Sequence, residues 1–375
     1  MRKSFKLITV FDIPIEINYT WFIVLGLVVF SLAARVFPLT NPEAGATSHW
    51  IMAFITATLF FSSLLAHELA HSLIAKKNKL PISGITLFIF GGVAHMEDEP
   101  HSPKEEFQVA IAGPIMSFFL ALVFFGLAQL SYNLAYPNTI LTMINHLVFL
   151  NLAVGVFNLI PGFPLDGGRV FRSILWHFYK DLKKATAIAS AFGKGFAFFI
   201  ITLGILYVFT PGLTVSGIWF IFIGIFLLEA AELSYRHVVM NKLLGGTKVE
   251  SLMTKEVITV PANMPLDKLL DNYFFKYRHA SFPVLEGDNI LGLVTFHDVK
   301  EVPQDKWSTT TAREAMEPVR KDLIIHKNTE AMDALAKLAS NGIGRRLVIE
   351  HAKLIGILSR KDIMRLFEFK AEIEK

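Results

Sequence analysis

Long apolar stretches separated by short polar segments occupy the first two thirds of the chain. Six of them are close to the length of about 20 residues that a helix needs to cross a bilayer: 19–37, 50–75, 107–136, 140–160, 185–210 and 213–231. Only Pro211 and Gly212 divide the last pair, which could instead form a bent hairpin. Residues 1–19 lack the pattern of a cleavable signal peptide, so we expect the first stretch to remain as an anchor. The pattern predicts a multi-pass α-helical membrane protein with six spans.

A segment between the second and third spans has a different pattern. Residues 82–96 (ISGITLFIFGGVAHM) are rich in β-branched and aromatic residues and are interrupted by glycines. These features predict a small membrane-associated β-hairpin or sheet. Backbone that is not helical is tolerated at membrane depth only where protein or a water-filled cavity covers it. We therefore expect this hairpin to lie at the mouth of the spans.

The last third of the chain contains an internal repeat. Short apolar runs at residues 257–260, 282–285 and 291–298 surround an amphipathic helix near residues 266–277. The same order returns at residues 323–325, 331–340, 346–349 and 354–362. A self-similar pattern with a period of about 60–65 residues predicts two α/β units packed as a pseudo-dimer.

The distribution of charge distinguishes the two parts of the chain. Only 18% of the residues are charged and 53% are hydrophobic, against about 25% charged in an average soluble protein. The net charge is +4, and the basic residues cluster beside the spans, which indicates membrane orientation rather than nucleic-acid binding. Basic segments near residues 1–5, 76–106, 169–184 and 236–248 place both termini in the cytoplasm of a protein of the cell membrane.

The second span contains the sequence HELAH, which begins at His67 and ends at His71. Residues four apart share one face of a helix, so both imidazoles can bind one zinc ion while Glu68 acts as general base. Charged or polar side chains inside a span cost about 2.5–3.5 kcal/mol each, and a metal would compensate that cost. The alternative is a helix-packing or proton-relay cluster. Because the chain has no cysteine, histidine and carboxylate groups would have to hold the zinc.

Asp166 is the candidate for a third ligand. It follows Pro161 and Pro164 in the sequence NLIPGFPLDGG at the end of the fourth span. The two prolines predict an irregular segment in which Asp166 is the only carboxylate. Its alternative role is an ordinary turn residue before two glycines.

These two motifs, with GGVA from Gly91 and AGP from Ala112, resemble the site-2 protease family of intramembrane metalloproteases over roughly residues 11–243. The family cuts a peptide bond in or near a transmembrane segment of other membrane proteins. The chain departs from part of the family because it has no PDZ-like insertion between the third and fourth spans.

The resemblance implies roles for particular residues. His67, His71 and Asp166 would be the ligands of one Zn²⁺ ion, and Glu68 would be the general base. The resemblance also implies that Asn158 directs its side-chain amide at the reacting carbonyl group.

Each unit of the C-terminal repeat ends in a related sequence. GLVTFHD contains Thr295 and Asp298, and GILSRKD contains Ser359 and Asp362. The hydroxyl and carboxyl groups could simply cap a helix. They could instead bind the phosphate and ribose of a nucleotide.

The repeat resembles a tandem CBS domain, with units at about 249–305 and 312–369 of a region 248–375, after a protease region 1–243. The resemblance implies that ATP or AMP binds and regulates the attached enzyme, and that the CBS domains could form a homodimer.

We therefore predict an intramembrane zinc metalloprotease with a membrane-protein substrate and a nucleotide-regulated CBS pair. A CBS-regulated membrane transporter or channel is the alternative, although no repeat among the six spans supports it. A membrane chaperone that does not cleave is a third class, against which the intact Glu68 argues. A peptide bond must leave its helix before hydrolysis, and the 82–96 hairpin could bind the unwound substrate along an edge near Thr86 or Phe88. It could equally be a plug over the cavity.

Overall fold

The computed structural model of the protein describes residues 4–89, 91–96, 98–340, 343–351 and 353–373. Residues 1–3 of the basic N-terminal segment and Phe90 of the predicted hairpin lie outside that part. The chain divides into two compact units between Val238 and Val239.

The first unit is built from long apolar helices. The first span combines α1 (Thr20–Ser31), a π-helical turn (Leu32–Val36) and α2 (Phe37–Thr40). The other spans are α3 (Ala46–Lys77), α4 (Pro103–Asn133), α5 (Asn138–Asn158), α7 (Leu182–Val208) and α8 (Thr214–Leu244), of which residues 239–244 belong to the second unit. In the described part of the chain, six helical segments are thus long and apolar enough to cross a membrane. The predicted six spans are confirmed, and Pro211 and Gly212 separate two distinct helices.

The apolar surfaces of these helices face outward to a large extent. Between 17% and 39% of the most apolar window of each span is buried within the protein. The remaining apolar surface requires a lipid environment, because a soluble protein rarely exposes large continuous apolar patches. Where the helices touch each other, small side chains allow close approach, and the fully buried ones include Ala53, Ala57, Ala110, Ala189 and Ala197.

The predicted hairpin is confirmed as β3 (Ile82–Phe88) and β4 (Gly91–Met96). It belongs to a four-stranded sheet in the order β1-β2-β3-β4, with β1 at Ser4–Val10 and β2 at Ile13–Asn18. The parallel pairing of β2 with β3 joins the two hairpins. Sequence analysis did not predict β1 and β2.

The free edge of this sheet is not at Thr86 or Phe88, where the sequence analysis expected it. β3 pairs with β2 on one side and with β4 on the other. Thr86 and Phe88 therefore lie in an interior strand, and β4 is the edge on this side of the sheet.

The irregular segment with the two prolines lies between α5, which ends at Asn158, and α6 (Asp166–Tyr179). The predicted break at Pro161 and Pro164 is confirmed. The segment folds tightly against α6, because a Cβ atom on Gly167 would lie 2.3 Å from the carbonyl carbon of Leu159. The backbone of this segment therefore determines where α6 begins.

The second unit contains the predicted repeat. Its first copy comprises β5 (Val260–Pro261), α10 (Leu266–Leu269) with a π-helical continuation (Leu270–Phe275), β6 (Ser281–Glu286), β7 (Asn289–Thr295) and α11 (Phe296–Glu301). Its second copy comprises β9 (Ile324–Ile325), α13 (Ala331–Ser340), β10 (Arg345–Glu350), β11 (Lys353–Ser359) and α14 (Arg360–Ile373). The short helices α9 (Val249–Leu252) and α12 (Ala312–Ala315) and the strand β8 (Glu317–Pro318) complete the unit.

The two copies have the same strand geometry. Each contains an antiparallel pair, β6–β7 or β10–β11, flanked by a short parallel strand. The register of both pairs shifts at equivalent positions, after Val284 in one and after Val348 in the other. Two separate apolar cores, one per copy, contain Phe282 and Leu358 respectively. The α/β repeat is therefore confirmed.

Candidate metal centre

Helix α3 positions the first two candidate ligands. His67 and His71 are one turn apart and point to the same side, with centroids of their rings 4.9 Å apart. Both are buried, at 2% and 8% exposure. The Nε2 atoms of the two rings are 3.2 Å apart.

Asp166 is brought to the same point from about 95 residues further along the chain. It is the first residue of α6, and its Oδ2 atom lies 3.0 Å from Nε2 of His67 and 3.1 Å from Nε2 of His71. Among the described residues, these three form the single cluster of histidine and carboxylate groups with ligand geometry. The side chain of Asp166 thus faces the histidines.

Helix α4 holds the other nitrogen of each imidazole. Nδ1 of His67 is 2.8 Å from the hydroxyl oxygen of Ser117, and Nδ1 of His71 donates to the carbonyl oxygen of Val109 at 2.6 Å. Partners of this kind fix the tautomer and orientation of metal-binding histidines. Sequence analysis missed both of these partners. Ser117 could have been found, because it is a polar residue within an apolar span.

The chemistry of these atoms fits a cation. Because Nδ1 of His71 donates to a carbonyl group, a neutral His71 presents a lone pair at Nε2. An ionised Asp166 presents only acceptors, so these atoms would repel each other without a positive charge between them. Ligands about 2.0 Å from a tetrahedral ion are about 3.3 Å apart, which is close to the three measured separations. Two nitrogens and one oxygen are also donors that zinc prefers.

Two glycines permit the close packing around these side chains. A Cβ atom on Gly113 of α4 would lie 2.2 Å from Nε2 of His71 and 2.4 Å from Nε2 of His67. A Cβ atom on Gly92 of β4 would lie 2.5 Å from Cγ of Glu68. Gly113 and Gly92 belong to the short sequences AGP and GGVA, and the structure provides a steric reason for each glycine.

Glu68 lies on α3 next to the first candidate ligand and faces β4. The backbone N–H of Ala94 in β4 lies near its carboxyl group. The side chain of Glu68 is only partly buried. It therefore lies between the histidine pair and the edge strand of the sheet.

Asn158 is the last residue of α5 and is partly exposed. Its side chain makes no hydrogen bond within the described part of the chain. A different asparagine of α5 is buried: Asn151 donates to the carbonyl oxygen of Leu147 at 2.8 Å and lies 3.4 Å from the hydroxyl of Ser63. The buried Asn151 connects α5 to α3 and was missed by sequence analysis.

In the second unit, the four candidate nucleotide-binding residues form two capping boxes. The N–H of Thr295 donates to Asp298, and the N–H of Ser359 donates to Asp362, each at 2.8 Å. Return hydrogen bonds run from the N–H of each aspartate to the hydroxyl oxygen, at 3.2 and 3.4 Å. The capping alternative is therefore realised in the structure at both positions.

A cavity of about 340 Å³ lies beside one of these boxes. Ser359 and Asp362 belong to its lining, together with the basic residues Arg278, Arg345, Lys361 and Arg365. The buried hydroxyl of Ser281 also lines it and has no hydrogen-bond partner in the described part of the chain. Burial lowers the pKa of Arg345, and the nearby charge of Asp362 opposes that shift. The cavity therefore combines positive charge with an unpaired hydroxyl group.

Comparison with known proteins shows the family of the chain. Residues 55–136 and 131–202 match peptidase family M50, and residues 249–305 and 312–368 match the CBS domain. A zinc metalloprotease of Methanocaldococcus jannaschii is 32% identical over 381 residues, which cover 100% of both chains. The chain belongs to peptidase family M50. It is thus a site-2 protease-like zinc metalloprotease with tandem CBS domains, and the transporter or channel alternative is not supported.

Two further comparisons are with a curated relative and with a solved structure. A candidate zinc metalloprotease of Synechocystis sp. is 32% identical over 374 residues, which cover 99% of this chain and 97% of that protein. The solved structure of a site-2 protease from Methanocaldococcus jannaschii is 31% identical and covers 62% of this chain and 95% of its own, with a TM-score of 0.42.

Proposed function

We propose that this M50 metalloprotease hydrolyses a peptide bond in or near a transmembrane segment of another membrane protein, using zinc bound by His67, His71 and Asp166. The observation that carries the proposal is the convergence of three donor atoms within 3.2 Å of one another beside Glu68. Helix α3, which holds two of the donors, is apolar enough to cross a membrane. The substrate bond would therefore be cut at membrane depth.

The proposed roles follow from the positions of the residues and, for Asn158, from the family resemblance. A bound zinc ion would supply Lewis-acid polarisation of the peptide carbonyl and activation of water. The Glu68 carboxylate would accept a proton from the attacking water and then pass it to the leaving amine. Ser117 and the Val109 carbonyl would keep the two imidazoles oriented towards the ion. Asn158, at the end of α5, would turn its amide towards the developing oxyanion.

The substrate must be extended where it is cut, because a helix shields its own peptide bonds. We propose that it binds as an added strand along β4, the edge of the sheet next to Glu68. Such a strand would replace the hydrogen bonds lost by the unwound helix. The N–H of Ala94 lies near the Glu68 carboxyl group, and a substrate carbonyl would accept a hydrogen bond from it. The approach of Gly92 to Glu68 keeps this edge close to the general base.

A cleavage assay tests the proposed reaction. The purified, zinc-loaded protein in detergent would be mixed with a panel of single-span peptides, and products would be identified by mass spectrometry. We expect cuts within or beside the span of at least one peptide, and none above background with Glu68→Gln as the matched variant. Identical products from both proteins would contradict the role of Glu68 and point to a contaminating protease.

We also propose that residues 248–375 bind ATP or AMP and thereby regulate the protease region, residues 1–243. The cavity beside Ser359 and Asp362 supports this, because its four basic side chains would attract phosphate groups. In this proposal Asp362 binds the ribose hydroxyls and Ser359 a phosphate, once the capping box opens. Thr295 and Asp298 would have the equivalent roles in the first copy. Pairing of two chains through their CBS domains is part of the same proposal.

Calorimetry with the full chain tests nucleotide binding. ATP and AMP would be titrated separately into the wild type, Asp362→Ala and Asp298→Ala. We expect binding to the wild type and weaker binding after either substitution. The absence of both heat and a thermal shift with every adenine nucleotide would leave the CBS pair as a dimerising or gating module.

For localisation, we propose the cell membrane with both termini in the cytoplasm. The support is the bias of Lys and Arg towards one set of connections. Water would then reach the metal centre from the cytoplasmic side, on which the predicted basic segments lie.

A further inference from the structure

A buried ion pair connects α4 and α6 outside the candidate metal centre. Glu106 is 0% exposed and Arg172 is 6% exposed. Nε of Arg172 donates to Oε1 of Glu106 at 2.6 Å, and a second guanidinium nitrogen contacts the same oxygen. Neither residue belongs to the HELAH or NLIPGFPLDGG motif. Sequence analysis had placed both within the basic segments outside the spans, where exposed side chains would be expected.

The contacts of this pair are poorly explained by stability alone. Removing two charges from water is unfavourable, and a well-packed apolar pair is often at least as stable. The other carboxylate oxygen of Glu106 is buried and finds no hydrogen-bond partner within the described part of the chain. An unsatisfied buried acceptor adds a further cost. Stability therefore does not account for this ion pair, and its position between α4 and α6 requires another explanation.

The pair lies in line with the residues that hold the histidines. Glu106 precedes Val109 by three residues, Gly113 by seven and Ser117 by eleven, and these spacings keep all four on one face of α4. The Val109 carbonyl and the Ser117 hydroxyl form hydrogen bonds with the two imidazoles, and Gly113 packs against these rings. One face of α4 thus contacts both α3 and α6.

On the other side, Arg172 is connected to the start of α6. It lies six residues after Asp166 on the same helix. Its guanidinium group also packs over the ring of Phe163, 5.1 Å from the centroid. Phe163 precedes Asp166 by three residues in the irregular segment. Arg172 therefore restrains both the helix and the segment that determine the position of Asp166.

We infer that the Glu106–Arg172 pair is a positioning device that sets α6 against α4, so that Asp166 reaches the two histidines. Without this restraint, α6 could slide or rotate on α4 while the fold persists. A rotation of one helix by a fraction of a turn is enough to move Oδ2 of Asp166 out of ligand distance. This inference rests on the assignment of His67, His71 and Asp166 as the metal ligands.

The test replaces the pair by apolar residues of similar length, in the double variant Glu106→Leu with Arg172→Met. Metal affinity would be measured by competition with a chromophoric chelator, the site geometry by the visible spectrum of bound Co²⁺, and stability by thermal unfolding. We expect unfolding close to that of the wild type, zinc affinity reduced about 10–100-fold as for other residues that orient ligands, and an altered Co²⁺ spectrum.

A different ion pair, between two of the spans, provides the control. Lys194 of α7 and Glu232 of α8 are in contact but only partly buried, and neither touches the candidate ligands. The variant Lys194→Met with Glu232→Leu should keep the zinc affinity and Co²⁺ spectrum of the wild type. Should the Glu106 double variant fail to fold, Glu106→Gln retains one acceptor for Arg172 and should weaken zinc binding more than threefold.

Wild-type zinc affinity and an unchanged Co²⁺ spectrum in a folded Glu106 variant would overturn the inference and reduce the pair to a packing element. Failure of the wild type itself to bind zinc would be a different result. It would contradict the proposed ligand set and not the pair alone.

Discussion

At the scale of single residues, the candidate metal centre depends on the absence of a side chain at Gly113 as much as on the donor atoms of its neighbours. Both candidate nitrogen donors lie where a Cβ atom on this residue would have to be, at 2.2 and 2.4 Å. Real Cβ atoms do not come so close to other atoms, so any larger side chain must displace an imidazole or α4. A displaced imidazole would lose its alignment with Asp166.

Replacing this glycine should therefore impair metal binding. We expect Gly113→Ala to lower zinc affinity by about 10–100-fold, as for other changes that disturb ligand orientation, in a competition titration with a chelator. Gly126→Ala on the same helix is the matched control, because no atom lies within 4 Å of its added Cβ. Unchanged affinity in Gly113→Ala would show that the histidines are free to move.

The sequence predicted the parts of this centre that depend on local spacing. His67 and His71 are one helical turn apart, so their meeting required only that α3 be a helix. Ser117 and Val109 could not be predicted in the same way, because their contacts depend on how α4 packs on α3. Glu106 and Arg172 were interpreted as charges in polar connections, and only their burial in the fold gives them partners.

At the scale of elements, β4 is the strand of the sheet that lies next to Glu68, the proposed general base. In the sequence, Ile13, Ile15 and Ile17 alternate with other residues, which is a signal for β2. In the structure these three isoleucines are the buried ones. That signal was short, and without β2 the hairpin could not be placed in a sheet. The pairing of β2 with β3 leaves β4 as the edge beside Glu68.

A proline in β4 tests substrate binding at this edge. Ala94→Pro removes one outward backbone donor, and we expect at least a tenfold loss of cleavage with unchanged zinc content. Ala94→Val, which keeps the N–H, is the matched control and should retain most of the activity.

The N–H removed by Ala94→Pro also lies near Glu68, so its loss could lower activity directly. A comparison of peptide substrates distinguishes this cause from the loss of edge binding. Peptides with helix-breaking residues at the cut position should partly restore cleavage by Ala94→Pro if the edge helps to unwind substrates. Equal activity of Ala94→Pro and Ala94→Val towards all peptides would contradict the added-strand proposal and favour the plug.

At the scale of the whole molecule, the chain combines an M50 peptidase unit with a CBS pair. Composition and the internal repeat predict this division, because lipid-facing helices and soluble α/β units have different patterns. The proposed orientation of the membrane part rests on the bias of Lys and Arg towards one set of connections. Labelling experiments can test this orientation directly.

Cysteine labelling tests the orientation in a chain that has no cysteine of its own. Ala46 and Lys77 are the two ends of α3, whose 32 residues extend about 48 Å and exceed the thickness of a bilayer core. We expect single cysteines at Lys77 and Ser308 to be labelled from the cytoplasmic side and one at Ala46 from outside. Labelling at Lys77 from outside would show that the orientation is the reverse of the proposed one and that water reaches the metal centre from the other side.

Zinc content is the most direct measurement of the central claim that His67, His71 and Asp166 bind the metal while Glu68 does not. The wild type, Glu68→Gln, His67→Ala, His71→Ala and Asp166→Ala would be purified in parallel and their zinc measured by elemental analysis. We expect one zinc per chain in the wild type and in Glu68→Gln, although Glu68→Gln should lose cleavage by roughly 10²–10⁴-fold. The three ligand variants should lose the metal. A full equivalent of zinc in Asp166→Ala would contradict the ligand set.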